Sequence, residues 1–416
     1  MNLMTIENKN RSVVSAANRT LVLHIGFGKT GTSALQQFFA DNEAQLALRD
    51  IHYPKTGRRE QTAHHYLATA ARPGGGTGFE CEQSWEEQLQ DLAQEIEEIN
   101  LPIVLLSSET FSGRLTWRLL NQFKDLFGKI TVVMYLRRQD DLIMSSYQQW
   151  IKDSTFSVDY EDMGALPYFF DESIKQWLAF LGKHPSEIMV RPYDIVSSGE
   201  VTIFEDFMSN ALGMSVPEDW ILPERKKSNP RMSERVLEFK RRLNRITPPD
   251  IAGDLMAPLL DYSANDWKND DHRKWDGSIF SPDKRKFMME ALFDSGNQQI
   301  ARDFLDREDG QLFSAPSSSE EEWHGPQLVL QDARAIGRYL LHLKYSGLRA
   351  NYVDKLLDQA AADADPIDGI IKVVVKKLYK RDISKLPPNE PDPVIPDRLK
   401  EQIRERLQKV DAVQPS

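Results

Sequence analysis

The sequence predicts an α/β protein in which a parallel sheet is flanked by helices, followed by a mostly helical C-terminal extension. Short apolar, β-branched runs stand at 21–25, 102–107, 130–136 and 187–191, and each has the length and composition of a buried strand. Between them, apolar residues recur three and four positions apart at 85–99, and a further helix is predicted over 202–212. Strands that alternate with helices indicate a parallel sheet covered on both faces.

The chain has 416 residues, with 40% hydrophobic and 28% charged residues. This length exceeds one typical domain, so we expect a large α/β domain with an appendage. We predict a flexible tail at 1–19, the main domain at 20–313, a linker at 314–327 and a helical extension at 328–416. The linker prediction rests on the segment SAPSSSEEE, which begins at Ser314.

The first predicted strand ends in a glycine-rich loop, GFGKTGTS at 26–33, after which apolar residues resume at helical spacing. Glycines let backbone N–H groups face an anion, and a helix N-terminus adds unpaired donors and a partial positive charge. The sequence therefore predicts a P-loop-like site for an anionic oxyacid group. The residues predicted to bind it are Gly28, Lys29, Thr30, Gly31, Thr32 and Ser33.

The identity of the anion depends on the loop pattern. A nucleotide-triphosphate loop requires G-x-x-x-x-G-K-[ST], and Leu23 stands where its first glycine belongs. Lys29 to Ser33 instead resembles the 5′-phosphosulfate loop of sulfotransferases, P-K-[ST]-G-T-[TS], with Gly28 in the place of the proline. From this stretch alone, a sulfotransferase, another nucleotide binder and an ordinary glycine turn before a helix all stay open.

A second motif follows the strand predicted at 130–136. Arg137, Asp141 and Ser145 resemble the R-x-x-x-D-x-x-x-S pattern with which sulfotransferases bind the 3′-phosphate of their donor. An arginine at a strand end can make a bidentate contact with phosphate, and a serine in the adjoining helix can add a hydroxyl group. The alternative is a surface arginine and a helix serine bonded to its own backbone.

Three later segments, at 107–109 (SSE), 190–194 (VRPYD) and 295–305 (SGNQQIARDFL), resemble bacterial sulfotransferase-like proteins. The resemblance extends from about residue 20 to about residue 313. It implies a transferase that moves a sulfuryl group from 3′-phosphoadenosine 5′-phosphosulfate, its nucleotide co-substrate, to an acceptor hydroxyl. The acceptor implied is a small molecule or oligosaccharide, with carbohydrate sulfation favoured. A P-loop nucleotide kinase and a non-catalytic nucleotide- or glycan-binding protein remain alternatives.

Sulfuryl transfer needs positive charge at the leaving oxygen and a general base for the acceptor. Lys29 is suited to the first role. For the second, Glu109 ends a strand predicted to face Lys29, and His64 and His65 titrate near neutrality. Structural roles stay open for all three candidate bases.

The net charge of −11 argues against nucleic acid as a partner of the whole chain. Within it, 225–245 holds nine Lys or Arg and two acids. This segment is either a solvated helix face or a wall of the donor or acceptor site that includes Lys226 and Lys227.

Cys81 is the only cysteine, which excludes an intrachain disulfide and fits a reducing compartment. No apolar run reaches the roughly 18 to 20 residues needed to span a bilayer, and the first twenty residues do not resemble a signal peptide. We therefore predict a cytoplasmic protein without a membrane span. No metal-ligand spacing is present, so no metal is predicted, and the sequence leaves the oligomeric state open.

Overall fold

The computed structural model describes residues 13–58, 62–72, 83–113, 117–152, 156–163, 166, 168–184, 186–223, 232–266, 278–314, 323–345, 350–384, 401 and 403–405. These residues belong to two compact units. The first unit is formed within Met1–Arg138, Phe169–Lys226 and Ser295–Ala315. The second is formed within Gln139–Tyr168, Lys227–Asp294 and Pro316–Ser416.

The first unit contains a five-stranded sheet in which all neighbouring strands are parallel. Its strands are β1 (Thr20–His24), β2 (Ile51–His52), β3 (Ile103–Ser107), β4 (Lys129–Leu136) and β5 (Ser186–Pro192). The order is β2-β3-β1-β4-β5, so β1 is central and most of its side chains are buried. This confirms the predicted α/β class with a parallel sheet flanked by helices.

The α-helices of the described residues are numbered here in chain order. They are α1 (Thr32–Asp41), α2 (Glu43–Ala47), α3 (His65–Ala70), α4 (Trp85–Ile99), α5 (Trp117–Leu120), α6 (Phe123–Leu126), α7 (Gln139–Lys152), α8 (Phe170–Leu181), α9 (Asp194–Ser197), α10 (Ile203–Leu212), α11 (Glu234–Ile246), α12 (Pro249–Asp254), α13 (Met256–Asp266), α14 (Pro282–Met288), α15 (Asp294–Leu305), α16 (Leu330–Lys344), α17 (Ala350–Ala360) and α18 (Pro366–Tyr379). Short 3₁₀ turns lie at Ala16–Asn18 and Glu109–Ser112, and a π-helical turn lies at Met289–Phe293.

Local sequence signals account for two of the helices predicted in the first unit. Ser84 and Glu87 form a capping box at the start of α4, and Thr202 and Glu205 form one at the start of α10, which satisfies backbone donors that the helices leave unpaired. The hydroxyl group of Tyr135 on β4 donates to Asp206 Oδ1 at 2.6 Å. This buried contact fixes α10 against the sheet.

The described part of the second unit is helical, and the helical extension predicted at 328–416 contains α16, α17 and α18. In the same unit, Lys240 on α11 is fully buried and donates to the carbonyl oxygen of Ile151 at the end of α7, at 3.3 Å. Arg242 and Arg245 of α11 pair with Asp368 of α18 at 3.3 and 2.6 Å. These contacts hold α7, α11 and α18 in one unit.

The compact units divide the chain differently from the predicted boundary at 313. Residues 139–168 and 227–294 group with the C-terminal helices, because the contacts of α11 join them. The backbone N–H and hydroxyl groups of Ser314 donate instead to Asp194 of the first unit, at 2.8 and 2.9 Å. Of the tail predicted at 1–19, residues 1–12 lie outside the described residues, whereas Ala16–Asn18 form a 3₁₀ turn and Arg19 is buried. Residues 385–400 of the predicted helical extension also lie outside the described residues. Among those described, no helix combines the length and apolar character needed to cross a bilayer.

Candidate anion-binding and catalytic site

The glycine-rich loop joins the central strand β1 to α1. Gly31 immediately precedes the helix in the left-handed conformation, with φ of 78°, and the first N–H groups of a helix have no partner within it. Because β1 is parallel to both neighbours, the loop lies at the carboxyl edge of the sheet, where ligands bind in open α/β sheets. The predicted strand, loop and helix are therefore all observed.

Contacts within the first unit hold the loop in a defined conformation. Lys29 also has a positive φ, 70°, which is uncommon for a residue other than glycine. A Cβ on Gly31 would lie 2.6 Å from Cδ1 of Ile203, so α10 packs directly against the loop. The buried Thr30 hydroxyl donates to the carbonyl oxygen of Phe27 at 2.6 Å. This hydroxyl, predicted to contact the anion, is therefore used inside the loop.

The other predicted loop residues differ in exposure. Gly28 and Ser33 are exposed, Lys29 is half-buried, and Thr32 is buried with 4% of its surface exposed. Ser33 and Lys29 are thus the polar side chains of the loop that are most open to solvent.

His24 lies beneath the loop. No motif in the sequence predicts a functional role for this residue. Its ring is fully buried, and Nδ1 lies 2.8 Å from the hydroxyl oxygen of Ser107. Burial lowers the pKa of His24 to about 3, so the ring is neutral at neutral pH. Within the described residues its Nε2 has no hydrogen-bond partner. A Cβ on Gly26 would lie 2.8 Å from this nitrogen and 2.8 Å from Cγ2 of Thr32.

Arg137 follows β4 and lies beside the loop, as its position in the sequence predicts. Its Nη1 donates to the carbonyl oxygen of Lys29 at 3.2 Å. Tyr193 follows β5 and lies against Gly31, with its ring and hydroxyl group 3.4 Å from the place a Cβ would take. Burial raises the pKa of Tyr193, and the charge of Arg137 acts in the opposite direction. Three neighbouring strand ends thus contribute to the surroundings of the loop.

Three further residues were predicted to bind the nucleotide donor: Ser145, Lys226 and Lys227. Ser145 is half-buried on α7 of the second unit. On that helix, Arg285 donates to Asp140 at 2.8 Å and to Asp141 at 2.9 Å. The 3′-phosphate role of Ser145 stays a prediction. Lys226 and Lys227 lie outside the described residues.

Glu109 begins the 3₁₀ turn that follows β3, the strand next to β1. Its Oε2 accepts a hydrogen bond of 2.9 Å from Nε2 of Gln36 on α1, and its Oε1 lies 4.0 Å from Nε2 of His65. The Glu109 side chain is 31% exposed. The predicted carboxylate is therefore accessible, and one of its oxygens is held by the helix that follows the loop.

His65 is buried beside Glu109. Its Nδ1 lies 2.8 Å from the hydroxyl oxygen of Ser108, which also accepts the backbone N–H of Thr110 at 3.1 Å. Burial lowers the pKa of His65, and the Glu109 carboxylate acts in the opposite direction. Since the ordinary value is 6.5, His65 is neutral at neutral pH.

His64 has a different environment from His65. It is fully buried, its Nε2 lies 3.0 Å from the carbonyl oxygen of Pro54, and its Nδ1 accepts the N–H of Ser107 at 3.0 Å. Burial and the nearby Arg58 lower the pKa of His64 to about 3. Because both ring nitrogens are engaged, this geometry favours a structural role for His64 over that of a general base.

No protein-family model, curated protein or solved structure matches this chain. The resemblance to sulfotransferases therefore depends on the sequence motifs alone. Within the described ranges, no group of three or more His, Cys, Asp or Glu side chains is arranged to hold a metal ion. The expectation that no metal takes part stays a prediction.

Proposed function

We propose that the chain is a sulfotransferase, which moves a sulfuryl group from 3′-phosphoadenosine 5′-phosphosulfate to an acceptor hydroxyl, with a carbohydrate as the favoured acceptor. One observation carries this proposal. The loop with Lys29, the carboxylate of Glu109 and the guanidinium of Arg137 follow three neighbouring parallel strands, β1, β3 and β4. Sulfuryl transfer would need a site for the anion of the donor, a base and a phosphate-binding cation, all at the same edge of the sheet. The loop, Glu109 and Arg137 would supply these three groups.

The residues beneath the loop fit an oxyanion. The unpartnered Nε2 of His24 is buried, and an unpaired buried polar group costs about 1 to 3 kcal/mol. In the tautomer that carries its proton on Nε2, this nitrogen would donate to an anion or to a water that an anion orders. The absence of a Cβ at Gly26 keeps this nitrogen in contact with the loop backbone. The positive charges of Lys29 and Arg137 would neutralise the anion.

The donor supplies the sulfuryl group, whose bond to the 5′-phosphate oxygen breaks as its bond to the acceptor oxygen forms. Lys29 would stabilise the negative charge that develops on the departing phosphate oxygen. The N–H groups at the start of α1 would hold the oxyanion. Glu109 would take the proton that the acceptor hydroxyl loses, and Arg137 would bind a phosphate group of the donor.

One tautomer of His65 favours Glu109 as the base. The Ser108 hydroxyl oxygen accepts the N–H of Thr110, and its own proton can be donated to Nδ1 of His65, which lies 2.8 Å away. In that tautomer the single N–H proton of the ring is on Nε2, which lies 4.0 Å from Oε1 of Glu109. A neutral ring protonated on this side would orient and stabilise the carboxylate, and Glu109 would accept the proton.

The kinase alternative meets a second obstacle besides Leu23. In a triphosphate loop, the hydroxyl after the lysine binds magnesium. Thr30 stands at that position, and its hydroxyl donates to Phe27 while the residue is completely buried. This contact argues against a magnesium-bound triphosphate, and it equally removes the Thr30 hydroxyl from the predicted contacts with a phosphosulfate.

Calorimetric titration with 3′-phosphoadenosine 5′-phosphate, AMP and magnesium ATP tests the donor. We expect the bisphosphate to bind most tightly. Arg137→Ala should weaken its binding by on the order of 2 to 3 kcal/mol, or roughly 30- to 150-fold, since a charge-assisted contact is lost. Arg49→Ala, at an exposed arginine of the same unit that follows α2, is the control and should bind like the wild type.

Equal affinities for the bisphosphate and AMP would refute the donor assignment, and tightest binding of magnesium ATP would favour the kinase. Transfer of radiolabelled sulfate to candidate acceptors separates an enzyme from a binding protein. Tight binding of the bisphosphate with no transfer to any hydroxyl acceptor would favour the non-catalytic alternative.

A further inference from the structure

Gln36 lies on α1, one helical turn after Thr32, and only 2% of its surface is exposed. A buried amide needs hydrogen-bond partners, and its Nε2 donates to Oε2 of Glu109 at 2.9 Å. The two residues are 73 positions apart in the chain. No motif in the sequence connects them.

The contact restricts a side chain that would otherwise be free to move. Glu109 is 31% exposed and stands on a short 3₁₀ turn, so without a partner its carboxylate can adopt several rotamers. Gln36 engages Oε2, while Oε1 lies towards His65 at 4.0 Å. The two carboxylate oxygens are thereby made different, and the orientation of the group is defined.

The same helix begins at the loop. Thr32 is the first residue of α1, and four residues along an α-helix correspond to a rise of about 6 Å. α1 therefore connects the N–H groups that end the loop with the amide that holds the carboxylate. A rigid helix keeps the spacing between these two groups constant.

We propose that Gln36 is a positioning residue, which orients the Glu109 carboxylate for proton removal and fixes it relative to the anion-binding loop. This inference rests on the proposed sulfotransferase function. It assigns a kinetic role to a residue that does not itself contact the reacting atoms, because the contact is made through Glu109.

Gln36→Met tests the role, because methionine keeps the length of the side chain and removes the N–H donor. We expect kcat to fall on the order of 10- to 100-fold, with the KM for the acceptor and the affinity for 3′-phosphoadenosine 5′-phosphate within about twofold of wild type. Gln37→Met is the matched control, because Gln37 is exposed and donates to Asp41 on the same helix at 2.7 Å. It should leave all three quantities unchanged.

A double-mutant cycle distinguishes positioning from a general structural effect. If Gln36 acts through the carboxylate, adding Gln36→Met to Glu109→Gln should lower kcat by less than about threefold further. Gln36→Glu provides a second variant of nearly unchanged shape. The acidic limb of the pH–rate profile of this variant should move to higher pH, because the new carboxylate faces Glu109 and the pair retains a proton.

The inference is wrong if the wild type transfers sulfate and Gln36→Met keeps the wild-type kcat. It is also wrong if the loss caused by Gln36→Met is equally large in the Glu109→Gln background, or if the pH profile of a folded Gln36→Glu protein is unchanged. A wild type that neither binds the bisphosphate nor transfers sulfate overturns the proposed function instead, and the inference with it.

Discussion

Replacing Gly26 with alanine perturbs the loop at the point where it passes over His24. The added Cβ would lie 2.8 Å from Nε2 of His24, 2.8 Å from Cγ2 of Thr32 and 3.3 Å from Oγ1 of Thr30. Ordinary contacts of a Cβ begin near 3.4 Å, so two of these neighbours must give way by about 0.6 Å. All three are buried, and therefore none can swing out into solvent.

Overpacking of this kind costs about 1 to 3 kcal/mol of unfolding free energy. The strain falls on Thr32, the first residue of α1, so it displaces the helix N-terminus that we propose holds the anion. Misplacement of a binding group by a fraction of an ångström weakens its interaction, and we expect the affinity for 3′-phosphoadenosine 5′-phosphate to fall about tenfold.

Gly28→Ala is the matched control, because a Cβ at Gly28 would meet no atom within 4 Å. Neither glycine has a positive φ, so the two variants differ in space rather than in backbone strain. Urea unfolding followed by tryptophan fluorescence, together with calorimetric titration of the bisphosphate, measures both effects. We expect Gly28→Ala to stay within about 0.5 kcal/mol of wild type. Equal stability and equal affinity of the two variants would refute the close approach at Gly26.

Two further predictions follow from the ionisable groups. Glu109→Gln should lower kcat on the order of 10²- to 10⁴-fold with the bisphosphate affinity nearly unchanged. If Glu109→Gln is active and His65→Ala is inactive, His65 is the general base instead. Burial lowers the pKa of His24 and of His64 from 6.5 to about 3, so below pH 6.5 the unfolded chain binds more protons than the folded one. The unfolding free energy should therefore fall as the pH drops from about 6.5 towards 3, by on the order of 1 kcal/mol per pH unit for each histidine. Urea unfolding at intervals across this pH range measures how steeply the unfolding free energy depends on pH, and this dependence should be weaker in His64→Gln. An unfolding free energy that does not change with pH would contradict the burial of these rings.

Much of the fold could be predicted because its signals are local. Strands of a parallel sheet are buried on both faces and so read as continuous apolar runs, which located β1, β3, β4 and β5 to within a residue or two. Strand β2 was missed because two residues, Ile51 and His52, are too few to form a pattern. The helix at 85–99 was predicted with its observed bounds from its apolar spacing, and the structure adds a capping box at its start.

The candidate site was predicted in part. Arg137 and Glu109 follow strands, and the positions of strand ends can be inferred from apolar runs. The use of Thr30 inside the loop could not be predicted, because its partner is a backbone carbonyl whose direction depends on the loop conformation. The burial of His64 could not be predicted either. Its ring contacts Pro54 and Ser107, and two adjacent histidines in the sequence do not indicate these contacts.

By itself, the sequence determined the class of fold, the loop and the residue types at the strand ends, because these depend on hydrophobic runs and on spacing along the chain. Only the tertiary structure decided that β1 lies between β3 and β4, that His24 lies against Ser107 and that Gln36 holds Glu109. Contacts between residues more than seventy positions apart arise from the order of the strands and the packing of helices on them. Neither leaves a pattern that can be seen along the chain.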